Sequence, residues 1–196
     1  MIEPAEVHTF GGMAKGSVLL HLRDFVHKHH GVSTWQGLLA DMPSRERGIL
    51  GGIVLSGAWY PVEVWNEVLD LFLPQAYSNP EEGMTVLAGY IAEHDLNTVY
   101  KIILKMGTPE FLMKRTSSLW SRYFDSGKLV SEEVSSKYWK LQLDLPDRGG
   151  VYPSYFTCGP GVSAWIANGL RTTGVDGRVT FTTGLKGNQY RYEARW

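Results

Sequence analysis

Apolar positions recur every three or four residues from Lys15 to about Arg122, then give way to strict alternation near the C-terminus. In Lys15–His29, Val18, Leu19, Leu22, Phe25 and Val26 form one stripe, which predicts an amphipathic helix that Gly31 stops. Ser33 can cap a short second helix carrying Trp35, Leu38 and Leu39, and Ser44, next to Pro43, can cap a third over Ser44–Leu50. The glycine-containing run Gly51–Tyr60 then leads to Pro61, which suits the first turn of a helix. Trp65, Val68, Leu69 and Phe72 supply that helix's stripe, and Pro74 is expected to end it. After Pro80 a long helical pattern runs from about Glu81 to Met106. Thr108 and Pro109 read as a cap and a first turn, with Glu110 well placed at the positive end of the helix dipole. Phe111, Leu112, Leu119 and Trp120 give this helix its apolar side.

The turn-forming Asp125-Ser126-Gly127 precedes a short strand at Leu129–Val130. In Tyr138–Leu145, Trp139, Leu141, Leu143 and Leu145 share one face, while Lys140, Gln142 and Asp144 share the other. Pro146–Pro160 is loop-rich, Val162–Leu170 carries a helical stripe, and Arg178–Thr183 and Gln189–Trp196 flank Gly184–Gly187 as a hairpin. The expected fold is α+β, with a mainly helical N-terminal two-thirds packed on a small C-terminal antiparallel sheet. Trp139, Leu141, Leu143, Val179, Phe181, Tyr190, Tyr192 and Trp196 should face one core beneath Trp165 and Ile166. Residues 1–196 read as one domain, with Glu3–Phe10 as an extended arm inside residues 1–12.

Composition narrows the class. The chain has 196 residues, 43% hydrophobic and 20% charged, enough apolar material for a sizeable core and too much for wholesale disorder. A net charge of −1 supplies no basic field for nucleic acid or an acidic membrane. One cysteine, Cys158, forms no internal disulfide, so a cytoplasmic location is expected. No signal peptide is expected from the first residues, and no apolar run approaches the ~20 residues of a membrane span.

Candidate chemistry is sparse. His27 and His30 are three apart and could share a helical face as metal ligands do, with His29 between them. Histidines at a helix C-terminus also interact favourably with its dipole, and no cysteine pair completes a metal site. His94, between acidic neighbours, is read as an exposed or hydrogen-bonded side chain. Cys158, at the entrance to a helix, is read as a small buried residue rather than a nucleophile. The glycines around Gly51 lack the Lys-Ser/Thr tail of a phosphate loop, and no catalytic motif appears, so the protein is expected not to be an enzyme. Tyr190, Arg191, Tyr192 and Arg195 interleave aromatics and cations, but alternation puts the two kinds on opposite faces of a strand.

Lys15-Gly16-Ser17-Val18, Trp59-Tyr60-Pro61, Thr108-Pro109-Glu110 with Leu119-Trp120, and Tyr192-Glu193-Ala194-Arg195-Trp196 together resemble a bacterial family of about this length. That family is similar in layout to hydrocarbon-binding domains of the 4-vinyl-reductase type. These share a fold with haem nitric-oxide/oxygen-binding domains and small TRAPP subunits. The resemblance implies helices packed on a small sheet around an apolar cavity, and a sensory role for which a small, largely apolar ligand is expected. Trp59, Tyr60, Trp65, Trp120 and Tyr123 are the expected ligand-binding residues. The haem family's Tyr-x-Ser-x-Arg signature is absent, Tyr190-Arg191-Tyr192-Glu193-Ala194 being different, so no haem or other cofactor is expected. The alternative is a ligand-free assembly protein acting through a homodimer surface. Val62, Val64 and Leu71 exceed what one stripe needs, which suits either a dimer contact or a helix buried on both sides within one chain.

Overall fold

A computed structural model describes residues 11–98, 107–147 and 149–196 of the chain. The expected arm at Glu3–Phe10 and the stretch 99–106 of the long helical pattern lie outside them. Strand β1 (Met13–Lys15) leads into α1 (Gly16–His30), α2 (Val32–Asp41) and α3 (Ser44–Leu50). Strand β2 (Trp59–Pro61) follows, then α4 (Val62–Ala76), α5 (Pro80–Thr98) and α6 (Pro109–Tyr123). Strands β3 (Lys128–Ser135) and β4 (Tyr138–Asp144), a π-helical turn at Thr157–Gly161, α7 (Val162–Thr172), β5 (Arg178–Thr183) and β6 (Gln189–Arg195) complete the chain. The α+β class and the helix-then-sheet order are as expected.

Local sequence explains most element boundaries, with four corrections. Ser33 is not a cap: Gly31, at φ 91°, occupies that position and no side chain bonds the helix start. Ser44 is already helical, with Pro43 at the cap. Pro61 ends β2 and stands at the cap of α4 rather than in its first turn. Pro74 lies within α4, which continues to Ala76. A proline there leaves the carbonyl of Asp70 without its helical partner, at an exposed residue of the helix. Thr108 caps α6 as expected, its Oγ1 accepting from the Phe111 N–H at 3.2 Å with Pro109 in the first turn.

The antiparallel sheet has the order β3-β4-β6-β5. Register sets Leu141 opposite Tyr192, Leu143 opposite Tyr190, and Phe181 beside Tyr192, so the expected face is the inner one. Trp139, Leu141, Leu143, Tyr190 and Tyr192 are buried, and Val179, Phe181 and Trp196 pack half-buried at its margin. Lys140 points to solvent, while Gln142 and Asp144 lie on the outer face, bonded to each other. Ile166 of α7 is buried against this core, with Trp165 packed at its edge.

One feature was not expected. Strands β1 and β2 form a separate antiparallel ladder, Met13 opposite Pro61 and Lys15 opposite Trp59. The stretch at its head gathers distant segments: the Gly12 N–H donates to the Val151 carbonyl at 2.7 Å, and the Val62 N–H to the Gly12 carbonyl at 2.9 Å. Asp125 closes it from a third direction, its Oδ1 accepting from the Met13 N–H at 2.6 Å. Helix α4 bears on the two alternatives its extra apolar residues left open. Val62, Val64, Trp65, Val68, Leu69, Phe72 and Leu73 are all buried, so Val62 and Val64 are covered within one chain, while Leu71 is half-buried. Of the three residues that suggested a dimer contact on this helix, two are accounted for by burial within the chain.

Candidate functional site

The site is a cavity of about 70 Å³ where helices from both halves of the chain meet. Trp65 of α4 forms one wall, and its indole N–H donates to Thr157 Oγ1 at 2.7 Å in the π-helical turn. Trp120 of α6 forms another, its indole N–H held by the Ser126 carbonyl at 2.9 Å. That bond ties the end of α6 to the turn before β3. Phe124 stacks on Trp120 at 4.8 Å and meets Trp65 at 6.3 Å, joining the two walls. Tyr123 and Trp165 of α7 complete the aromatic part, ring centres 6.4 Å apart.

The remaining walls are aliphatic. Met84, Ala88 and Ile91 face the cavity from α5, at the spacing of one helical stripe, and Val162 and Ile166 do so from α7. Two of the hydroxyls at the wall are engaged: Thr116 Oγ1 donates to the Met113 carbonyl at 2.8 Å, and Thr157 Oγ1 accepts from Trp65. The space therefore presents an almost wholly apolar surface.

Of the five residues expected to bind ligand, the structure brings Trp65, Trp120 and Tyr123 together at the cavity. Trp59 and Tyr60 stand elsewhere. Trp59 is 38% exposed on β2 with the Lys15 ammonium 4.3 Å over its ring, and the Tyr60 hydroxyl accepts from the Leu55 N–H at 2.8 Å. These two residues shape the start of α1: a Cβ on Gly16 would collide with the Leu55 carbonyl and approach the Tyr60 ring at 2.9 Å. Met84, Ala88, Ile91 and Trp165 were missed, although an apolar i, i+4, i+7 stripe with a small residue at its centre is a signal that a helix lines a gap.

The other candidates resolve into packing. His27 lies against Trp35 at 5.9 Å, while His30 turns to the Tyr77 hydroxyl at 3.3 Å, so the pair does not converge. Burial first, and then the neighbouring His29, lower the pKa of His30. Among the described residues no group of three or more His, Cys, Asp or Glu side chains could hold a metal ion. His94 stacks on Tyr90 at 3.9 Å and its Nδ1 lies 2.9 Å from the Tyr90 carbonyl. Cys158 is completely buried, its thiol donating to the Pro153 carbonyl at 3.4 Å, and burial pushes its pKa up, away from the reactive thiolate. No described helix is long and apolar enough to cross a membrane.

No protein-family model matches the sequence, and no curated protein does. Solved structures share its fold. The Fe(II) unliganded H-NOX protein from K. algicida superposes with a TM-score of 0.72 at 9% identity, covering 92% of this chain and 95% of that one. The H-NOX protein from S. oneidensis in the Fe(II)NO ligation state gives 0.62 at 11% identity, covering 92% and 98%. A structure from work on haem redox potential and protein-induced porphyrin distortion gives 0.64 at 8% identity, with the same coverage. Of the relationships the sequence suggested, the one with haem nitric-oxide/oxygen-binding domains is therefore met at the level of fold.

This corrects the expectation that no cofactor is present and that haem is unlikely. That expectation rested on a missing short signature, whereas structures that share the fold over nearly the whole chain include H-NOX proteins in Fe(II) and Fe(II)NO states. The lining fits haem in its chemistry: apolar walls suit a porphyrin face, and Met84 and Tyr123 are of types that ligate haem iron. It does not fit in volume, about 70 Å³ against the roughly 300–1,000 Å³ that cofactor pockets span. A group of that size enters only if the helices around the cavity move apart.

Proposed function

We propose that the chain is a non-enzymatic sensory domain that takes up a small, largely apolar group in the cavity between α4, α5, α6 and α7. The observation that carries this reading is an apolar cavity lined by five aromatic side chains, Trp65, Trp120, Tyr123, Phe124 and Trp165, between the helices. Native cores leave few voids, because each forfeits dispersion contacts on its lining. A ligand that fills it regains those contacts without needing a charge. Binding there touches α4, α5, α6, α7 and the π-helical turn at once, so occupancy would bear on the packing of the helical layer against the sheet.

Haem is the cofactor to test first, for two reasons. Structures sharing the fold include H-NOX proteins, and Met84 and Tyr123 stand at the wall as residues that would hold the iron. When bound, haem would supply an iron centre able to take a diatomic gas; this chain's own part would be the apolar enclosure and the ligand side chains. The deciding experiment is native mass spectrometry and absorption spectroscopy of protein purified from its own host, followed by titration of the apo form with haemin and with benzene. A stoichiometric adduct that is lost in Ala88→Leu supports the reading. A protein that binds neither probe and carries no adduct overturns it.

A further inference from the structure

The two edges of the four-stranded sheet differ in their protection. The β3 edge carries Glu132 and Glu133 in succession, and a bulge between Glu133 and Ser135 breaks its register with β4. Charges and bulges are the usual means of stopping an edge from pairing. The β5 edge has neither: after Arg178 its residues are Val179, Thr180, Phe181, Thr182 and Thr183, paired to β6 without irregularity.

The direction of its vacant backbone groups follows from the hairpin. The Gly184 N–H donates to the Gln189 carbonyl at 2.8 Å, so alternation along the antiparallel ladder makes Thr182–Arg191 and Thr180–Glu193 the bonded pairs. The N–H and C=O groups of Val179, Phe181 and Thr183 then point away from β6. Among the described residues, none of them bonds to another segment. Phe181 also has an apolar flank: its ring closes over Gly159, where a Cβ would meet it at 2.6 Å, and Tyr155, 42% exposed, lies 6.1 Å away.

We propose that β5 pairs antiparallel with β5 of a second copy of this chain, across a two-fold axis at Phe181, making one continuous sheet. Only registers that set odd positions opposite odd ones keep both inner faces on the same side. With the axis at Phe181, Val179 faces Thr183, Thr180 faces Thr182, and Phe181 faces its own counterpart. Each outward N–H and C=O of one strand then meets an outward group of the other. The cross-strand pairs are Thr–Thr, Val–Thr and aromatic–aromatic, combinations that stabilise sheets. Arg178 falls opposite Gly184, so no like charges are opposed. This self-complementarity is what a two-fold interface requires, and it selects a second copy over a foreign strand.

Sedimentation velocity from micromolar to several hundred micromolar protein tests the pairing. Val179→Pro removes an outward N–H that the β5–β6 ladder does not use, a position where an edge strand accepts proline. The wild type is expected to form a dimer, and Val179→Pro to weaken association at least tenfold with an unchanged far-ultraviolet spectrum. Val134→Lys, on the opposite edge, is expected to leave the dimer intact. If Val179→Pro does not fold, amide exchange in the wild type decides: the Phe181 and Thr183 amides should slow as concentration rises. A wild type that stays monomeric, a dimer that Val179→Pro leaves unchanged, or exchange independent of concentration overturns the proposal.

Discussion

Filling the cavity from within is the sharpest check on its existence. Ala88 sits on α5 with its methyl at the cavity wall and is 4% exposed, so Ala88→Leu extends a side chain into the void. Leucine is nearly as good a helix former as alanine, so the backbone cost is a few tenths of a kcal/mol. A residual cavity costs about 24 cal/mol per Å³, so filling all of the 70 Å³ would recover at most about 1.7 kcal/mol. For a chain of this size about 2–4 °C accompany each kcal/mol, which gives a rise in Tm of roughly 3–7 °C. Imperfect fit takes away part of this, since overpacked positions cost ~1–3 kcal/mol. Calorimetry of the apo protein measures the change, and a benzene or haemin titration reads the same substitution as lost binding. A Tm that falls by more than a few degrees, with probe uptake unchanged, would refute both the void and its role.

Thr108→Ala removes the cap of α6 and should cost about 1 kcal/mol, read as a lower midpoint of urea unfolding. Gly159→Ala pushes a methyl into the Phe181 ring; the strain should destabilise by about 1–3 kcal/mol and make the Phe181 amide exchange faster. Burial raises the Tyr190 pKa from 10.0 to about 12, with Cys158 and Tyr155 adding to it. The folded state therefore holds this proton more tightly than the unfolded chain does. Stability from this group is complete below pH 10 and falls as pH rises from 10 through about 12. Tyr190→Phe should shift the alkaline unfolding midpoint upward, and an unmoved midpoint would contradict that assignment.

The parts of the fold that sequence disclosed are those whose cause is local. The stripe at Val18, Leu22, Phe25 and Val26 and the alternation at Trp139, Leu141 and Leu143 fix both element type and buried face, because periods of 3.6 and 2 admit one inward side each. Strands β1 and β2 were not legible: each is three residues long, and its pairing comes from chain nearly fifty positions away. The π-helical turn was equally hidden, since Cys158-Gly159-Pro160-Gly161 carries the residues of a loop and bends into place against Phe181 and Met84. Half the candidate site shares that difficulty. Trp65, Trp120 and Tyr123 stand out as aromatics, but only packing shows that Trp59 and Tyr60, close to Trp65 in sequence, belong to the start of α1 instead.

The ladder at the N-terminal end has a consequence for how the chain is made. Gly12 is bonded to Val151, and Met13 to Asp125, so the beginning of the chain is completed by partners from far along it. At about 5–20 residues per second, the roughly 140 residues between Gly12 and Val151 take about 7–28 s to emerge. Within that interval β1 first has no partner, then meets β2 and later Asp125 before Val151 arrives, and α1 and α4 have only part of their cover. The growing polypeptide therefore spends most of its synthesis with the first strand half-latched, and a release of the chain before Val151 leaves it so. Closure of this latch cannot precede the synthesis of Val151, so translation speed sets the earliest moment at which it can form.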